Sequence, residues 1–281
     1  MTGATSGLGL ATALRLAAMG ATVVVHGRDP ARCADAAEAV ARASASGTTV
    51  DRLVADLGDL EQVRRLAADF RERHARLDVL VNNAGATFPR RALTPEGVER
   101  TLAVNHLAPF LLTSLLTDLL RASAPARVVT VASVAHEHGR LDLDDLPMDR
   151  GYRPFAAYSR SKLANVLFTR ELARRLEGTG VTANAVHPGL VRTGLMDRSG
   201  AVRRAGWQLI HVAYRRSSLT PEEGAEWIVE LAASPALEAV TGRYFAEGRD
   251  VEPAAAARDP ELAARLWAVS EERTGALAGV R

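Results

Sequence analysis

The chain has 281 residues, of which 47% are hydrophobic and 24% charged, a composition that excludes an intrinsically disordered chain. Its 35 basic and 33 acidic residues nearly balance, so the charge gives no support to a nucleic-acid partner. Cys33 is the single cysteine, which excludes an internal disulfide. The sequence contains no run of about 18 consecutive apolar residues and no signal-peptide layout, so we expect a cytoplasmic chain without a membrane span.

Short β-branched runs alternate with longer alanine- and leucine-rich stretches along the chain. Predicted strands cover residues 22–26, 48–54, 79–81, 127–131, 181–186 and 242–245. Predicted helices cover residues 8–19, 30–45, 60–75, 95–122, 157–176 and 221–233. This order predicts the α/β class: a doubly wound, Rossmann-type, mostly parallel sheet with helices on both faces. No linker interrupts residues 1–281, so we expect a single domain, with loops near residues 142–154 and 193–219.

A glycine-rich turn, Thr2-Gly3-Ala4-Thr5-Ser6-Gly7-Leu8-Gly9, opens the first predicted helix. Glycines let a backbone approach a pyrophosphate, and a helix N-terminus offers free N–H groups. The strand that should precede such a turn is absent from the sequence, so a central strand of the sheet is expected to be missing. A start codon assigned too far downstream and a tolerated truncation both account for that absence.

Several further motifs follow in chain order. They are Asn82-Asn83-Ala84-Gly85, Asn105, Ser133, the pair Tyr158 and Lys162, and His187-Pro188-Gly189. Tyr158 and Lys162 are four residues apart, which places them on one helix face. In this order the motifs resemble the short-chain dehydrogenase/reductase family. Ser133-Val134-Ala135-His136 and the stretch from Ser161 to Phe168 are similar to its retinol-dehydrogenase-like branch.

The resemblance implies four catalytic residues. Hydride transfer to a carbonyl builds negative charge on the oxygen, which needs a proton and hydrogen-bond donors. Tyr158 would supply the proton, and the ammonium of Lys162 would lower the pKa of that phenol. Ser133 would hold the substrate oxygen, and Asn105 would anchor a water on the proton path.

The resemblance also implies a dinucleotide site. The residues expected to contact the cofactor are Gly3, Thr5, Ser6, Gly7, Leu8, Gly9, Arg28, Asp56, Leu57, Asn83, Ala84, Gly85, Tyr158, Lys162, Pro188, Gly189 and Thr193. Members that prefer NAD carry an acidic residue at the end of the second strand, where this chain has Gly27 followed by Arg28. A guanidinium suits a 2′-phosphate, so NADP(H) is favoured, although Asp29 leaves NAD open. Asp56-Leu57 is either an adenine contact or the N-cap region of the helix that begins at Leu60.

Two further features leave alternatives open. His136 and His138 flank Ser133 without a third ligand, so we expect no metal and assign them to loop structure or substrate contact. An unusually apolar stretch is either a packed helix or a lid over a bulky substrate. It contains Leu195, Met196, Trp207, Ile210, Val212 and Tyr214.

Together these observations predict an NADP(H)-dependent enzyme that reduces a ketone or aldehyde on a bulky hydrophobic small molecule. The composition is typical of high-GC bacteria, and there the branch includes ketoreductases of aromatic polyketide antibiotics such as anthracyclines. A retinol/retinal-type dehydrogenase and a non-catalytic NADP-binding regulator are the alternatives. A homodimer is the expected assembly.

Overall fold

The main sheet has five strands. The structure, a computed structural model, describes residues 1–45, 47, 50–191 and 218–276. The strands are β3 (Val79–Asn82), β4 (Ala126–Val131), β5 (Val181–His187), β6 (Tyr244–Ala246) and β7 (Arg249–Asp250), paired in that order. The first three pairings are parallel, and β6 pairs with β7 antiparallel. The mostly parallel sheet predicted from the sequence is confirmed.

Two earlier strands form a separate parallel pair, β1 (Val25–Gly27) and β2 (Arg52–Val54). In the described residues no strand joins this pair to the main sheet. Met1 and Thr2 bridge the gap instead. The amide of His26 donates to the carbonyl of Met1 at 3.2 Å, and the amide of Thr2 donates to Val81 O at 3.0 Å. A cavity of about 30 Å³ lined mainly by apolar side chains remains beside this bridge.

Helices cover both faces of the main sheet. They are α1 (Gly7–Ala18), α2 (Pro30–Ala43), α3 (Leu60–Arg73), α4 (Arg100–Leu102), α5 (Ala108–Ala122), α6 (Pro154–Arg175), α7 (Pro221–Ala233) and α8 (Pro260–Thr274). Alternate strand residues face opposite layers, so Val129 packs in the cluster with α1 and α7. Its neighbour Val128 packs in the cluster with α5, α6 and α8. Both faces are therefore buried.

The helix predicted to begin at residue 95 begins at Arg100 instead. Gly97 has φ +74° and closes a turn by donating its amide to Thr94 O at 2.9 Å. Glu99 then caps the helix by accepting from the amides of Thr101 and Leu102. The N-cap carboxylate, and not Pro95, therefore sets the start. A π-helical segment, Ala103–Leu107, joins α4 to α5.

The continuous helical stretch Arg100–Ala122 is, by length and composition, apolar enough to cross a membrane. In the fold, 78% of its most apolar 18-residue segment is buried inside the protein. A core helix of a soluble protein meets the same criterion, so this stretch alone is weak support for a membrane span.

Candidate active site

The glycine-rich turn forms a tight cradle at the start of α1. Gly3 and Gly7 have φ +63° and +51°, a region that favours glycine. A Cβ at Gly3 would lie 2.8 Å from Ala84 Cα, and one at Gly9 would overlap the carbonyl of Gly3. The N-cap residue Ser6 makes no side-chain cap, so the first N–H groups of α1 are open to an anion.

Thr2 and Asn83 hold this cradle against the end of β3. The Thr2 hydroxyl accepts from the amides of Asn83 and Ala84 at 3.0 and 3.1 Å. The Asn83 side chain donates to the carbonyls of Thr2 and Gly3 at 2.8 and 3.1 Å. The predicted cofactor residues Asn83 and Ala84 therefore meet the glycine turn. The role of Thr2 was missed, although it stands first in the motif.

His26 is a further residue that the sequence analysis missed. Its Nδ1 faces the amide of Gly3 at 3.4 Å, and its Nε2 lies 3.2 Å from the carbonyl of Ala55. Burial lowers the pKa of this imidazole to about 4, so the ring is neutral near pH 7. It joins the glycine turn to the segment that carries Asp56. A histidine inside a β-branched run was the available signal.

The end of β1 has no room for an acidic side chain. A Cβ at Gly27 would lie 2.5 Å from Thr5 Cγ2 and 2.9 Å from Cys33 Sγ. Asp29 is the N-cap of α2 and accepts from the amide of Arg32 at 3.1 Å. Arg28 is exposed. The nearby carboxylate is thus occupied by the helix, while the guanidinium of Arg28 is open to solvent.

Asp56 lies in the turn after β2. Asp59 is the N-cap of α3, and Asp56 and Leu57 lie in the turn directly before it, so Asp56 belongs to the N-cap region without capping the helix itself. One Asp56 oxygen accepts from the amide of Gly58 at 2.9 Å, and the other lies 3.5 Å from the guanidinium of Arg100. Leu57 beside it is buried. One oxygen of Asp56 therefore closes its own turn, and the other is directed towards Arg100, at the start of the helical stretch that carries Asn105.

Ser133, Tyr158 and Lys162 meet at the carboxyl end of the main sheet. Ser133 follows β4, and its hydroxyl hydrogen-bonds the side chain of Tyr158. Lys162 lies one turn after Tyr158 on α6, with Nζ 5.6 Å from the centre of the phenol ring. The ammonium donates to Val131 O, the last residue of β4, at 2.8 Å. In the part of the chain that the structure describes, that is its single hydrogen bond.

Burial dominates the pKa values of this pair. Burial raises the pKa of Tyr158, and its hydrogen bond to Ser133 offsets only part of that effect. Burial lowers the pKa of Lys162 to about 8. The direction of the Tyr158 pKa shift is set by burial and by Ser133, so the expected effect of Lys162 on the phenol stays a prediction. A lysine with this pKa still carries its charge at neutral pH.

Asn105 lies inside the π-helical segment and is fully buried. Its Oδ1 accepts from the amide of Ala86 at 2.7 Å, and its Nδ2 donates to the carbonyl of Ala86 and to Ser161 Oγ. Ser161 in turn donates to the carbonyl of Tyr158 at 2.7 Å. Asn105 thus joins the segment after β3, which carries Ala86, to α6, the helix that carries Tyr158 and Lys162. Its role in holding a water stays a prediction.

Gly85 marks the open space between these groups. A Cβ there would lie 3.7 Å from Asn105 Oδ1 and 3.8 Å from Lys162 Nζ, so nothing crowds the position. With the uncapped start of α1 and the spare donors of Lys162, this cleft fits a dinucleotide that carries a ribose beside the lysine. Among the described residues, no three or more His, Cys, Asp or Glu side chains are grouped so that they could bind a metal ion.

The remaining predicted residues lie beyond β5. Pro188 and Gly189 follow that strand directly, and Gly189 has φ +87° with Leu219 packed against it. Thr193 lies outside the described residues, as does the apolar stretch from Leu195 to Tyr214, so the lid hypothesis stays a prediction. The other predicted loop, near residues 142–154, is described and contacts α6 through Arg160.

The two histidines after Ser133 differ in placement. His138 is exposed, and its ring contacts Phe155. His136 is buried and hydrogen-bonds the carbonyl of Ser133, which supports the loop-structure interpretation for that residue.

Comparison with known proteins agrees with this geometry. The short chain dehydrogenase family profile matches residues 1–203. Mouse retinol dehydrogenase 14 is 43% identical over 99% of this chain and 85% of its own length. Mouse polyprenol dehydrogenase is 43% identical over 99% and 84%. Human retinol dehydrogenase 13 is 40% identical over 98% and 83%.

Solved structures show the same fold. An uncharacterized protein from Mycobacterium paratuberculosis superposes with a TM-score of 0.77 at 37% identity, covering 98% of this chain and 91% of its own. An NAD(P)-dependent gluconate 5-dehydrogenase from Beutenbergia cavernae with bound NADP gives 0.69 at 33% identity, covering 88% and 92%. The chain belongs to the short-chain dehydrogenase/reductase family of NAD(P)-binding oxidoreductases, in its retinol-dehydrogenase-like branch.

Proposed function

We propose that this chain is an NADP(H)-dependent oxidoreductase that interconverts an alcohol and a carbonyl on a long apolar molecule of the retinoid or polyprenoid kind. The observation that carries the proposal is the meeting of Ser133, Tyr158 and Lys162 beside the glycine cradle. Relatives at 40–43% identity are retinol and polyprenol dehydrogenases, which supports this class of substrate.

The proposed roles follow from the atoms present. Bound NADP(H) would supply the hydride donor or acceptor. The Tyr158 hydroxyl gives a proton to the carbonyl oxygen during reduction and takes it back during alcohol oxidation. Ser133 Oγ, already hydrogen-bonded to Tyr158, donates to the same oxygen. Lys162 holds the ribose and stabilises phenolate as it forms, and its link to Val131 O fixes the ammonium in place.

The preference for NADP(H) rests on the end of β1. No carboxylate fits at Gly27, and Asp29 is the N-cap of α2, so a 2′-hydroxyl lacks its usual acidic partner. Arg28 is exposed beside this position. A concave space of about 150 Å³ is lined by Thr5 and Arg32, and also by Asp35. The exposed guanidinium of Arg28 is therefore the group that favours a 2′-phosphate.

The apolar substrate is supported by exposed side chains around the site. Val134 follows Ser133 and is 40% exposed, and Phe155 lies one turn before Tyr158 at 45%. Leu190, after Gly189, is 47% exposed. Large apolar side chains left in water around a polar reaction centre are typical of a site that takes an apolar ligand.

The relatives support the retinoid-type alternative better than an aromatic polyketide, and they give no support to a role in antibiotic biosynthesis. A cytoplasmic location, the absence of a membrane span and a homodimeric assembly stay predictions.

A substrate panel tests the proposal. The purified chain would be assayed for NADPH oxidation with all-trans-retinal, a polyprenal, an anthracycline aglycone ketone and a short saturated aldehyde. We expect kcat/KM for retinal or polyprenal to exceed the other two by about tenfold or more, the discrimination that about 1.4 kcal/mol of extra apolar contact gives. A preference for the aglycone, or no turnover of any of the four, would contradict the proposal.

A further inference from the structure

The carbonyl of Ser133 is held twice by one residue. His136 donates its amide to Ser133 O at 3.0 Å, and its Nδ1 lies 2.8 Å from the same oxygen. The Ser133 hydroxyl accepts from the amide of Ala135 at 3.2 Å. The short helical turn after β4 is therefore organised around Ser133, and the imidazole of His136 contacts the Ser133 carbonyl.

The other nitrogen of His136 reaches the C-terminal part of the chain. Nε2 lies 3.1 Å from the amide of Ala254, 118 residues away in sequence. An amide N–H can only donate and a carbonyl can only accept, so the two partners fix the tautomer. Nδ1 carries the proton and donates to Ser133, while Nε2 accepts from Ala254. The ring is 1% exposed and packs on the Tyr244 ring, with the two centres 4.8 Å apart.

The turn that carries His136 is also fixed from the side of the catalytic helix. A Cβ at Gly139 would lie 2.6 Å from Ser159 O and 2.7 Å from Leu163 Cβ, so the turn lies directly on α6. Ser159 directly follows Tyr158, and Leu163 directly follows Lys162. The backbone of the turn therefore has α6 on one side and the Ala254 segment on the other, with His136 between them.

We propose that His136 is a positioning residue whose ring connects the carbonyl of Ser133 to the amide of Ala254 and so fixes the main chain that presents the Ser133 hydroxyl to the substrate. This inference rests on the proposed function, because kcat can be measured only if the chain turns over a carbonyl. It assigns the two ring nitrogens different roles: Nδ1 orients Ser133, and Nε2 anchors the segment from Val251 to Arg258.

Two conservative variants separate those roles. In His136→Asn the amide can replace Nδ1 as a donor to Ser133 O, but it is too short to reach Ala254. In His136→Gln the terminal oxygen can replace Nε2 as the acceptor for Ala254, but Nδ1 has no substitute. The measurements are kcat and KM for carbonyl and NADPH, the Tm, and amide hydrogen exchange at Ala135, His136 and Ala254.

We expect opposite orders for activity and stability. His136→Asn should keep a kcat about tenfold or more above that of His136→Gln, with KM for NADPH within about threefold, because the group that presents the Ser133 hydroxyl is retained. His136→Gln should have the higher Tm. Amide exchange should quicken at Ala254 in His136→Asn, and at Ala135 and the backbone amide of position 136 in His136→Gln.

A merely structural histidine gives a different result. If kcat falls in step with Tm across both variants, or if exchange quickens at the same amides in both, the positioning role is overturned. If the parent protein turns over no carbonyl, the proposed function fails, and the crossed exchange pattern alone still decides whether the two nitrogens have separate roles.

Discussion

At the scale of single residues, the proposed preference for NADP(H) over NAD(H) rests on Gly27 and Arg28. The guanidinium of Arg28 is exposed and no acidic side chain fits at Gly27. We predict that Arg28→Asp raises the Kd for NADPH relative to that for NADH by about tenfold or more. A charge-assisted hydrogen bond to the 2′-phosphate is worth about 1.5–3 kcal/mol, and a carboxylate in its place repels that phosphate. Fluorescence titration of both cofactors measures the ratio.

Arg42→Asp is the matched control for that prediction. Arg42 lies in the last turn of α2, its side chain is 72% exposed, and it forms an ion pair with Glu38 at 3.8 Å. The substitution makes the same change of charge away from the glycine cradle. If both variants change the ratio equally, the effect is that of net charge alone, and the selectivity assigned to Arg28 is wrong.

Individual site residues differ in how far the sequence reveals them. The spacing of Tyr158 and Lys162 places them on one helix face, and their meeting with Ser133 follows from the strand end before it. The contacts of Asn105 could not be predicted, because a π-helical segment rotates its amide onto Ala86 and Ser161. Helical periodicity of 3.6 residues gives no sign of such a segment.

At the scale of elements, a buried ion pair connects the catalytic helix to the helix that carries Asn105. Arg160 on α6 lies 3.5 Å from Glu99, and both side chains are almost wholly buried. Arg160 also donates to the carbonyls of Asp145 and Leu146, so it holds the loop beside the site. Breaking one partner of such a pair leaves a buried charge, which is destabilising by about 3–5 kcal/mol.

We predict that Arg160→Met lowers the free energy of unfolding by about 3–5 kcal/mol. The double variant Glu99→Gln/Arg160→Met should lose less than the sum of its single variants, because Glu99→Gln removes the uncompensated charge. Glu99→Gln keeps an oxygen for the helix cap. Urea denaturation of all four proteins gives the coupling free energy. Strictly additive effects would show that the pair is not coupled.

Some elements could be predicted from the sequence and others could not. The strand cores and α7 lie where the patterns predict them, while β7 and α8 were not predicted. Helix α8 (Pro260–Thr274) is mostly alanine and charged residues, so its buried Leu266 and Trp267 make too sparse an apolar stripe. Its place is set by distant partners: the Trp267 ring packs on Phe110 and on Arg175.

At the scale of the whole molecule, buried histidines make the fold sensitive to acid. Burial lowers the pKa of His26 and of His187 to about 4, and that of His106 to about 3. In the unfolded chain each returns to about 6.5. Between these values the unfolded state binds more protons, so stability falls as the pH drops below about 6.5.

We predict that the free energy of unfolding decreases steadily from pH 7 to pH 5, by up to about 1.4 kcal/mol per pH unit for each such histidine. His106→Gln should make that slope shallower, by up to about 1.4 kcal/mol per pH unit, because it removes one of the buried histidines whose pKa is lowered. His138→Gln, on an exposed side chain, should leave it as it is. Urea midpoints across this range test the prediction, and a stability that is flat or rises towards pH 5 would refute it.

The central claim, that this chain is an NADPH-dependent carbonyl reductase with Tyr158 as its proton donor, is tested most directly by comparing Tyr158→Phe with the parent protein. The measurement is kcat for reduction of all-trans-retinal, with the Kd for NADPH as the control for folding and cofactor binding. We expect a loss of about 10²–10⁴-fold in kcat, because only the acid is removed, and a Kd for NADPH within about threefold of the parent value. A variant that keeps kcat within about threefold of the parent would contradict it.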